Sequence, residues 1–587
     1  MTQLIKLKSA QSLHDVATLL GFKASALSFI LFKKADAAKY KQFDIPKRYG
    51  GTRKISAPSP ELKLIQKRLS DLLQNCAEEI NKANGFDDQI SHGFKRKRSI
   101  ITNAKEHRNR KHVFNVDLTN FFGSINFGRV RGFFMKDKNF ILHSDVATVL
   151  AQIACYDNAL PQGSPCSPVI SNLIGHVLDI HLVRLASRNG CIYSRYADDL
   201  TFSTNKPEFP TCIAKCTSSD EHKWGPGSEL ARLVKKSGFD INPLKTRMQY
   251  RDSRQEVTGL IVNKKINVRS EYRRTVRAMV HHLFTKGSFE FVHKAVDEKG
   301  ALSIIKVTGT MNQLHGMLGF IDGVDLYNKK LNSKNKDSRD QLSATSKESM
   351  YRRFLLFKEF YAAQTPVIIC EGKTDNVYIL HAIRSLAAKY PQLATTNTDG
   401  TIKLTVRIFK YSGTSTGRIL GINGGTADLS NFMRLYNREI KKFKAPGAQQ
   451  PVILLVDNDA GAKERGKIFN TVKEITKTTV IGTEPYVHVT GNLYLVATPL
   501  KNGAKESMIE DFFKDEIKST IVGGKAFSPL NDLDTDTNYG KHVFAQKVVR
   551  AHADKIDFSG FTAILSNIVL VVDAHAKKHS AVQRPTD

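Results

Sequence analysis

An α+β fold over roughly the first 330 residues, followed by a mostly parallel α/β domain, is what this 587-residue sequence predicts. Three observations carry that expectation. Apolar and polar residues alternate in Val113–Leu118 and again on both sides of Asp198 and Asp199, the period-2 pattern of antiparallel strands and a hairpin. Residues 329–349 are polar and almost free of large apolar groups, so they cannot bury a core and mark a boundary. Beyond them, β-branched runs that end in carboxylates alternate with helical patterns, as in a parallel sheet covered by helices.

In Val113-Phe114-Asn115-Val116-Asp117-Leu118, the residues Phe114, Val116 and Leu118 share a strand face suited to packing on helices, while Asp117 lies on the other face, toward a cleft. Apolar residues flank Arg195-Tyr196-Ala197-Asp198-Asp199-Leu200, which puts two carboxylates at a hairpin tip where strand backbone holds them firmly. An Asp-Asp pair alone is common in surface turns; the third carboxylate, Asp117, is what points to metal. Three carboxylates on neighbouring strands can hold two Mg2+ ions about 3.5–4 Å apart, the arrangement that stabilises attacking and leaving oxygens in phosphoryl transfer.

Charge agrees with such chemistry. A formal net charge of +32 far exceeds what solubility needs and calls for a polyanionic partner, nucleic acid. The run Lys95-Arg96-Lys97-Arg98, followed by Lys105, Arg108, Arg110 and Lys111, suits a template backbone or nucleotide phosphates, bound without sequence readout. Residues 270–284 are helical in period, with Val276, Met279, Val280 and Leu283 on one side and basic residues opposite, as in a helix lying on a duplex. At 65.6 kDa the chain is long enough for about three or four domains. No apolar run approaches a membrane span and the N-terminus lacks a signal-peptide pattern, so a cytosolic protein without membrane association is expected. Seven scattered cysteines fit a reducing compartment, and Cys212 and Cys216 with His222 lack the second pair that would complete a zinc site. Residues 577–587 read as a disordered tail.

In the second half, Val367-Ile368-Ile369-Cys370-Glu371 places Glu371 where a buried strand gives way to a helix start, and Pro451–Val456 followed by Asp457-Asn458-Asp459 repeats the device. Ligands in parallel sheets collect at the carboxyl ends of the strands, where these carboxylates would converge. Capping of the following helices is the competing role for Glu371 and Asp457. Ser507-Met508-Ile509-Glu510-Asp511-Phe512-Phe513 adds a further acidic element, and Lys501 and Lys505 stand near it in sequence.

Tyr196-Ala197-Asp198-Asp199 is the motif of reverse transcriptases, and about the first 330 residues resemble that class. Asp117-Leu118-Thr119-Asn120-Phe121-Phe122-Gly123-Ser124-Ile125 looks like its first palm motif and Leu160-Pro161-Gln162-Gly163-Ser164-Pro165 like its Pro-Gln-Gly motif. The segments Lys54–Pro58, Leu62–Gln66, His92–Ile100, Asn242–Thr246 and Gln255–Asn263, with Val257-Thr258-Gly259, narrow the resemblance to retron reverse transcriptases. The resemblance implies a right-hand polymerase of fingers, palm and thumb. Asp117 and Asp198 would bridge two Mg2+ ions, with Asp199 a weaker ligand. Phe122 would block a ribose 2′-OH, unless the Phe121-Phe122 pair is plain core. Gln162 would touch the incoming dNTP, Gly163 would let backbone approach it, and Lys245 would lie near the leaving pyrophosphate, unless it is an ordinary surface lysine. The implied partners are dNTPs, a cognate structured non-coding RNA and the branched RNA–DNA product (msDNA) primed from an RNA 2′-OH.

Glu371-Gly372-Lys373-Thr374-Asp375 followed by Asp457-x-Asp459 resembles the TOPRIM domain, an α/β Rossmann-like fold, and Ile509-Glu510-Asp511 resembles its nuclease branch. That resemblance implies one or two Mg2+ ions held by Glu371, Asp457, Asp459 and Glu510, with Glu371 as ligand or general acid/base, and a nucleic-acid target. The expected organisation is fingers and palm over 1–253, a thumb or RNA-binding part over 254–328, a linker over 329–349 and a TOPRIM effector over 350–587. A fused toxic effector in anti-phage defence is the expected role; self-association into a homo-oligomer stays open. Two rivals remain: a group II intron-like reverse transcriptase with a mobility nuclease, disfavoured by the lack of a His-Asn-His segment, and a catalytically silent TOPRIM scaffold.

Overall fold

The period-2 stretches of the first half become one antiparallel sheet. The computed structural model describes the chain apart from residues 48–50, 86–88, 219–221, 297–301, 334–344, 465, 502, 531–532 and 583–587. A first compact unit comprises Met1–Arg273, Lys294–Ile305 and Gly323–Ser338; a second comprises Arg274–His293, Lys306–Asp322 and Arg339–Asp587. In the first, a hairpin of β1 (Tyr40–Pro46) and β2 (Thr52–Pro58) precedes the long helix α1 (Pro60–Ala83). Pro60 opens α1 at a position whose N–H has no helical partner anyway. The sheet consists of β3 (His112–Thr119), β4 (Ile192–Tyr196), β5 (Asp199–Thr204) and β6 (Asp240–Tyr250) in the order β4-β5-β3-β6, all antiparallel. Phe114, Val116 and Leu118 of β3 are buried in one core with Leu62, Ile65 and Leu69 of α1, Val130 and Phe134 of α2 (Phe127–Lys136), and Ile170, Leu178 and Leu182 of α3 (Ser167–Arg188).

Two corrections to the sequence reading arise here and in the C-terminal helix. α3 and the stretch Ser559–Lys578 are each long and apolar enough to cross a membrane by length and composition, contrary to the expectation that no segment approaches that limit. The physical reason is burial: both helices carry much of their apolar surface into folded cores, Ile170, Ile174, Leu178 and Leu182 in one, Ile564, Leu565, Ile568 and Val571 in the other. The second correction concerns residues 577–582, which are not a tail but the end of the helix Thr562–Val582; residues 583–587 lie outside the described residues. The segment 334–344 of the expected linker also lies outside them, while 329–333 belong to the helix Met311–Ser333 and Thr345 caps Ser346–Leu356 in a reciprocal capping box with Glu348.

The helix α4 (Ser270–Lys286) straddles the division between units, and its expected apolar face, Val276, Met279, Val280 and Leu283, is buried. In the second unit β7 (Val367–Cys370), β8 (Arg407–Ile408), β9 (Val452–Val456), β10 (Val487–Thr490) and β11 (Leu493–Ala497) form a sheet ordered β8-β7-β9-β11-β10, parallel except for β10 at one edge. β7, β9 and β11 are buried along their whole length, which is why their sequences are continuous apolar runs rather than alternating ones. Helix α5 (Asp375–Ser385) follows β7, α6 (Thr426–Ile440) precedes β9, and α7 (Thr562–Val582) packs into the same core as β7, β9 and β11. Because β7 and β9 are direct neighbours, their carboxyl ends deliver Glu371 and Asp457 side by side.

Candidate active site

The register of the first sheet assembles the carboxylates. Asp117 on β3 lies directly opposite Asp199 on β5, and the Leu118 N–H donates to the Asp198 carbonyl at 3.0 Å. Tyr196 pairs with Asp199, so Ala197 and Asp198 alone make the turn between β4 and β5. Ala197 sits at φ 56°, the left-handed region that a non-glycine residue adopts at a cost of about 1 kcal/mol. Residues 90–93 brace the turn from the side: Arg195 N–H donates to the Ile90 carbonyl at 2.9 Å and His92 N–H to the Arg195 carbonyl at 2.8 Å.

Asp117 is buried at the floor of the site rather than standing in an open cleft. Its two oxygens accept from the Lys245 ammonium at 3.0 and 2.9 Å and from the Asn242 amide at 3.3 Å. Lys245 is therefore not an idle surface lysine: its stem is exposed, but its charge is spent on Asp117. Burial opposes that charge, yet the Asp117 carboxylate outweighs burial and raises the Lys245 pKa. Burial first, then the neighbouring Asp117, lifts the Asp198 carboxyl; burial first, then Asp198 and Asp117, lifts Asp199 to about 7. Lys245, with Arg53 acting on Asp198 and Arg247 on Asp199, offsets three carboxylates, a hard-oxygen donor set that fits Mg2+. Among the described residues no three His, Cys, Asp or Glu side chains already stand as a ligand sphere.

The remaining expected residues divide. Phe121 is core, stacked on Phe239 with ring centroids 5.4 Å apart, whereas Phe122 is half-buried and neighbours Phe94, which in turn neighbours Tyr196. The Gln162 carbonyl accepts from Ser56 N–H at 2.8 Å, and Gly163 (φ 123°) lies so close to β2 that a Cβ would come within 2.7 Å of the Ser56 oxygen. In the basic run, Lys95, Arg96, Lys97 and Arg98 line a cavity of about 660 Å³ with α1, α2 and α3. Asp117, Asp198 and Asp199 are not among the residues that line that cavity. Arg96 is engaged by α1, bonded to Asn75 at 2.8 Å and ion-paired with Glu78 at 3.4 Å.

A second acidic cluster forms at the carboxyl ends of β7 and β9. Burial first, then Asp459 and Asp375, lifts Glu371 to about 7; burial first, then Asp375, Glu510 and Glu371, lifts Asp457 to about 8. Glu510 is also raised by burial, against the pull of Lys541, whose ammonium lies 3.1 Å from it. Asp457 accepts from Ile509 N–H at 2.9 Å, which draws the Glu510 segment onto the strand end. Glu371 Oε2 and Glu510 Oε1 are buried without a hydrogen-bond partner, and orphaned carboxylate oxygens of this kind suit a divalent cation. Neither Glu371 nor Asp457 caps a helix: Asp375–Ser385 begins without a side-chain cap, and the turn Ala460–Lys463 is capped by Asp459, which accepts from Ala462 N–H at 2.9 Å. Lys501 is turned to the Asp511 carbonyl and the Phe512 ring. Two members escaped sequence reasoning. Asp375 accepts from Gly372 N–H at 2.8 Å and acts on Glu371, Asp457 and Glu510, and only its place in the Glu-Gly-x-Thr-Asp run signals it. Lys541 arrives from a stretch with no pattern at all.

Comparison with known proteins bears on the first unit. A family model described as reverse transcriptase (RNA-dependent DNA polymerase) matches residues 45–268. The retron Mx162 reverse transcriptase of Myxococcus xanthus is 32% identical over 349 residues, covering 52% of this chain and 67% of that relative. The chain belongs to the retron reverse transcriptases. The retron Ec86 reverse transcriptase of Escherichia coli is 29% identical over 316 residues, covering 52% of this chain and 91% of its own length. A telomerase of Candida albicans in complex with a telomeric RNA fragment aligns over 55% of this chain and 64% of its own at 12% identity, with a TM-score of 0.30 too low to carry an argument. This retron reverse transcriptase is thus an RNA-directed DNA polymerase, of a class that uses Mg2+ in its palm and copies a non-coding RNA into msDNA from dNTPs. Asp117, Asp198, Asp199 and Lys245 all fall within the matched span.

Proposed function

We propose that this retron reverse transcriptase holds two Mg2+ ions on Asp117 and Asp198, with Asp199 as a weaker ligand, and extends DNA from a 2′-OH of its cognate RNA to give a branched product. The observation that carries the assignment is the pairing of Asp117 against Asp199 with Asp198 at the turn, three carboxylates side by side with Lys245 bonded to Asp117. The cations would stabilise the attacking and leaving oxygens of phosphoryl transfer. Lys245, released from Asp117 as metal binds, would face the leaving pyrophosphate, and Phe122 beside Phe94 would meet the 2′ position of the incoming nucleotide. In this reading residues 1–253 are fingers and palm and 254–328 the thumb. Asp198→Ala/Asp199→Ala protein should make no DNA from the cognate RNA; retained synthesis refutes the assignment.

For residues 350–587 the same reasoning supports a TOPRIM-type Mg2+-dependent nuclease acting as an anti-phage effector restrained by the RNA–DNA product. Support comes from Glu371, Asp457 and Glu510 crowded at two adjacent parallel strand ends with orphaned carboxylate oxygens. Asp459, although it caps a helix turn, adds its charge to Glu371. Protein freed of its RNA–DNA should cut DNA or RNA with Mg2+ and the Glu371→Ala variant should not. Equal cutting by both removes the nuclease reading, and absence of cutting together with absence of Mg2+ binding favours a silent scaffold.

A further inference from the structure

Below the turn that carries Asp198 lies a fully buried guanidinium, and its surroundings explain how the turn keeps its shape. Arg195, the residue before Tyr196-Ala197-Asp198-Asp199, has no exposed surface, and its partner Asp179 is equally enclosed. Nε and Nη2 of Arg195 each donate to one Asp179 oxygen at 2.8 Å, the two-pronged geometry that only arginine offers a carboxylate. Its remaining nitrogen, Nη1, donates to Asn172 Oδ1 at 3.1 Å and to the carbonyl of Ala197 at 3.2 Å. Ala197 is the residue held in the left-handed region, a conformation an alanine leaves unless something fixes it.

The cradle for this guanidinium is one face of α3. Asn172, Gly175 and Asp179 recur at i, i+3 and i+7; the two polar residues bind the guanidinium, and the glycine makes room for it, since a Cβ there would come within 2.9 Å of the guanidinium carbon. Asn172 also donates to the Gly93 carbonyl at 2.6 Å, tying in the segment that braces the turn, and Tyr193 donates to Asp179 at 2.8 Å. α3 begins at Ser167, directly after the Pro161-Gln162-Gly163 segment. Stability alone gives little reason for such a device, because a buried ion pair is often matched or bettered by apolar residues of the same volume.

We propose that Arg195 is the positioning residue of the polymerase turn: supported by Asp179 and Asn172, it holds the strained Ala197 carbonyl and thereby keeps Asp198 aimed at the metal site. The inference rests on the reading of Asp198 as a Mg2+ ligand. Arg195→Lys keeps a positive charge beside Asp179 but cannot reach Ala197 as well. Second-layer supports of metal ligands typically change metal affinity or activity 10–100-fold, so the full-length variant should need roughly tenfold more Mg2+ for half-maximal DNA synthesis on its cognate RNA and show a kcat lower by about tenfold or more. RNA binding should be unchanged. Ala197→Gly in the same background, which removes the strain the guanidinium offsets, should recover part of that loss, by about threefold or more. A wild-type Mg2+ requirement and kcat in Arg195→Lys, or a loss confined to melting temperature with kcat per folded molecule unchanged, overturns the proposal. Should Arg195→Lys fail to fold, Asn172→Ala, which leaves the ion pair intact, reads the same quantities: a several-fold rise in the Mg2+ requirement supports the inference and an unchanged one sinks it. Asp198→Asn, run alongside, separates the two ideas. If it still polymerises, the ligand reading itself has failed; if it is dead while Arg195→Lys matches wild type, only the positioning role falls.

Discussion

His107 shows at the scale of one residue how burial rewrites chemistry. Its imidazole is enclosed behind the catalytic hairpin, with Nδ1 2.7 Å from the Ser203 hydroxyl and Nε2 2.7 Å from that of Ser194. Burial first, then the charges of His92 and Arg110, holds its pKa down to about 3 against an ordinary 6.5. Between those values the unfolded chain binds a proton that the folded chain refuses, so the stability it contributes is complete above pH 6.5 and is lost as pH falls toward 3. The raised carboxyls Asp199, Glu371 and Asp457 work in the opposite sense, costing stability as pH rises toward 7 to 8. Only a difference measurement therefore isolates the histidine. Melting temperature should fall less between pH 7 and pH 4 in His107→Gln than in wild type, even if the variant starts lower; parallel curves would show that His107 titrates outside that window. Lys245 teaches a related lesson. In sequence it reads equally well as a surface lysine, and its bond to Asp117 is visible only in the folded chain.

At the scale of elements, the hairpin of β4 and β5 depends on the segment beside it. A Cβ on Gly93 would come within 2.6 Å of the Ala197 nitrogen, so this glycine is required by close approach rather than by its own backbone angle. Gly93→Ala should push the turn out of line, cost about 1–3 kcal/mol in a denaturant melt and lower primer extension about 100-fold. Extension at the wild-type rate would mean that the turn is tolerant of displacement. The strands themselves were legible: alternation in 113–118 and around Asp198 marks strands even though both of their faces are largely buried, and β7 and β9 are continuous apolar runs buried on both faces. Less legible was α3, whose apolar length imitates a membrane span because the protein's own core takes the place of lipid.

For the whole molecule, a charge of +32 makes RNA binding a counterion-release equilibrium. Affinity for a generic RNA duplex should fall roughly a thousandfold between about 50 and 200 mM salt, as for a protein neutralising six or more phosphates, and a flat salt titration by fluorescence anisotropy would refute that picture. By itself the sequence determined the two fold classes, the polymerase chemistry of the first unit, and Asp117, Asp198, Asp199, Glu371, Asp457 and Glu510 as acidic candidates, because strand periodicity and contiguous motifs are local properties that the chain writes within ten residues or so. Tertiary structure alone decided that Lys541 joins the second cluster, that Phe121 is fully enclosed while Phe122 packs half-buried against the same core, and that Asn172, Gly175 and Asp179 of one helix enclose Arg195. Each of these depends on which surfaces meet after residues far apart in the chain are brought together, and no short-range pattern records that.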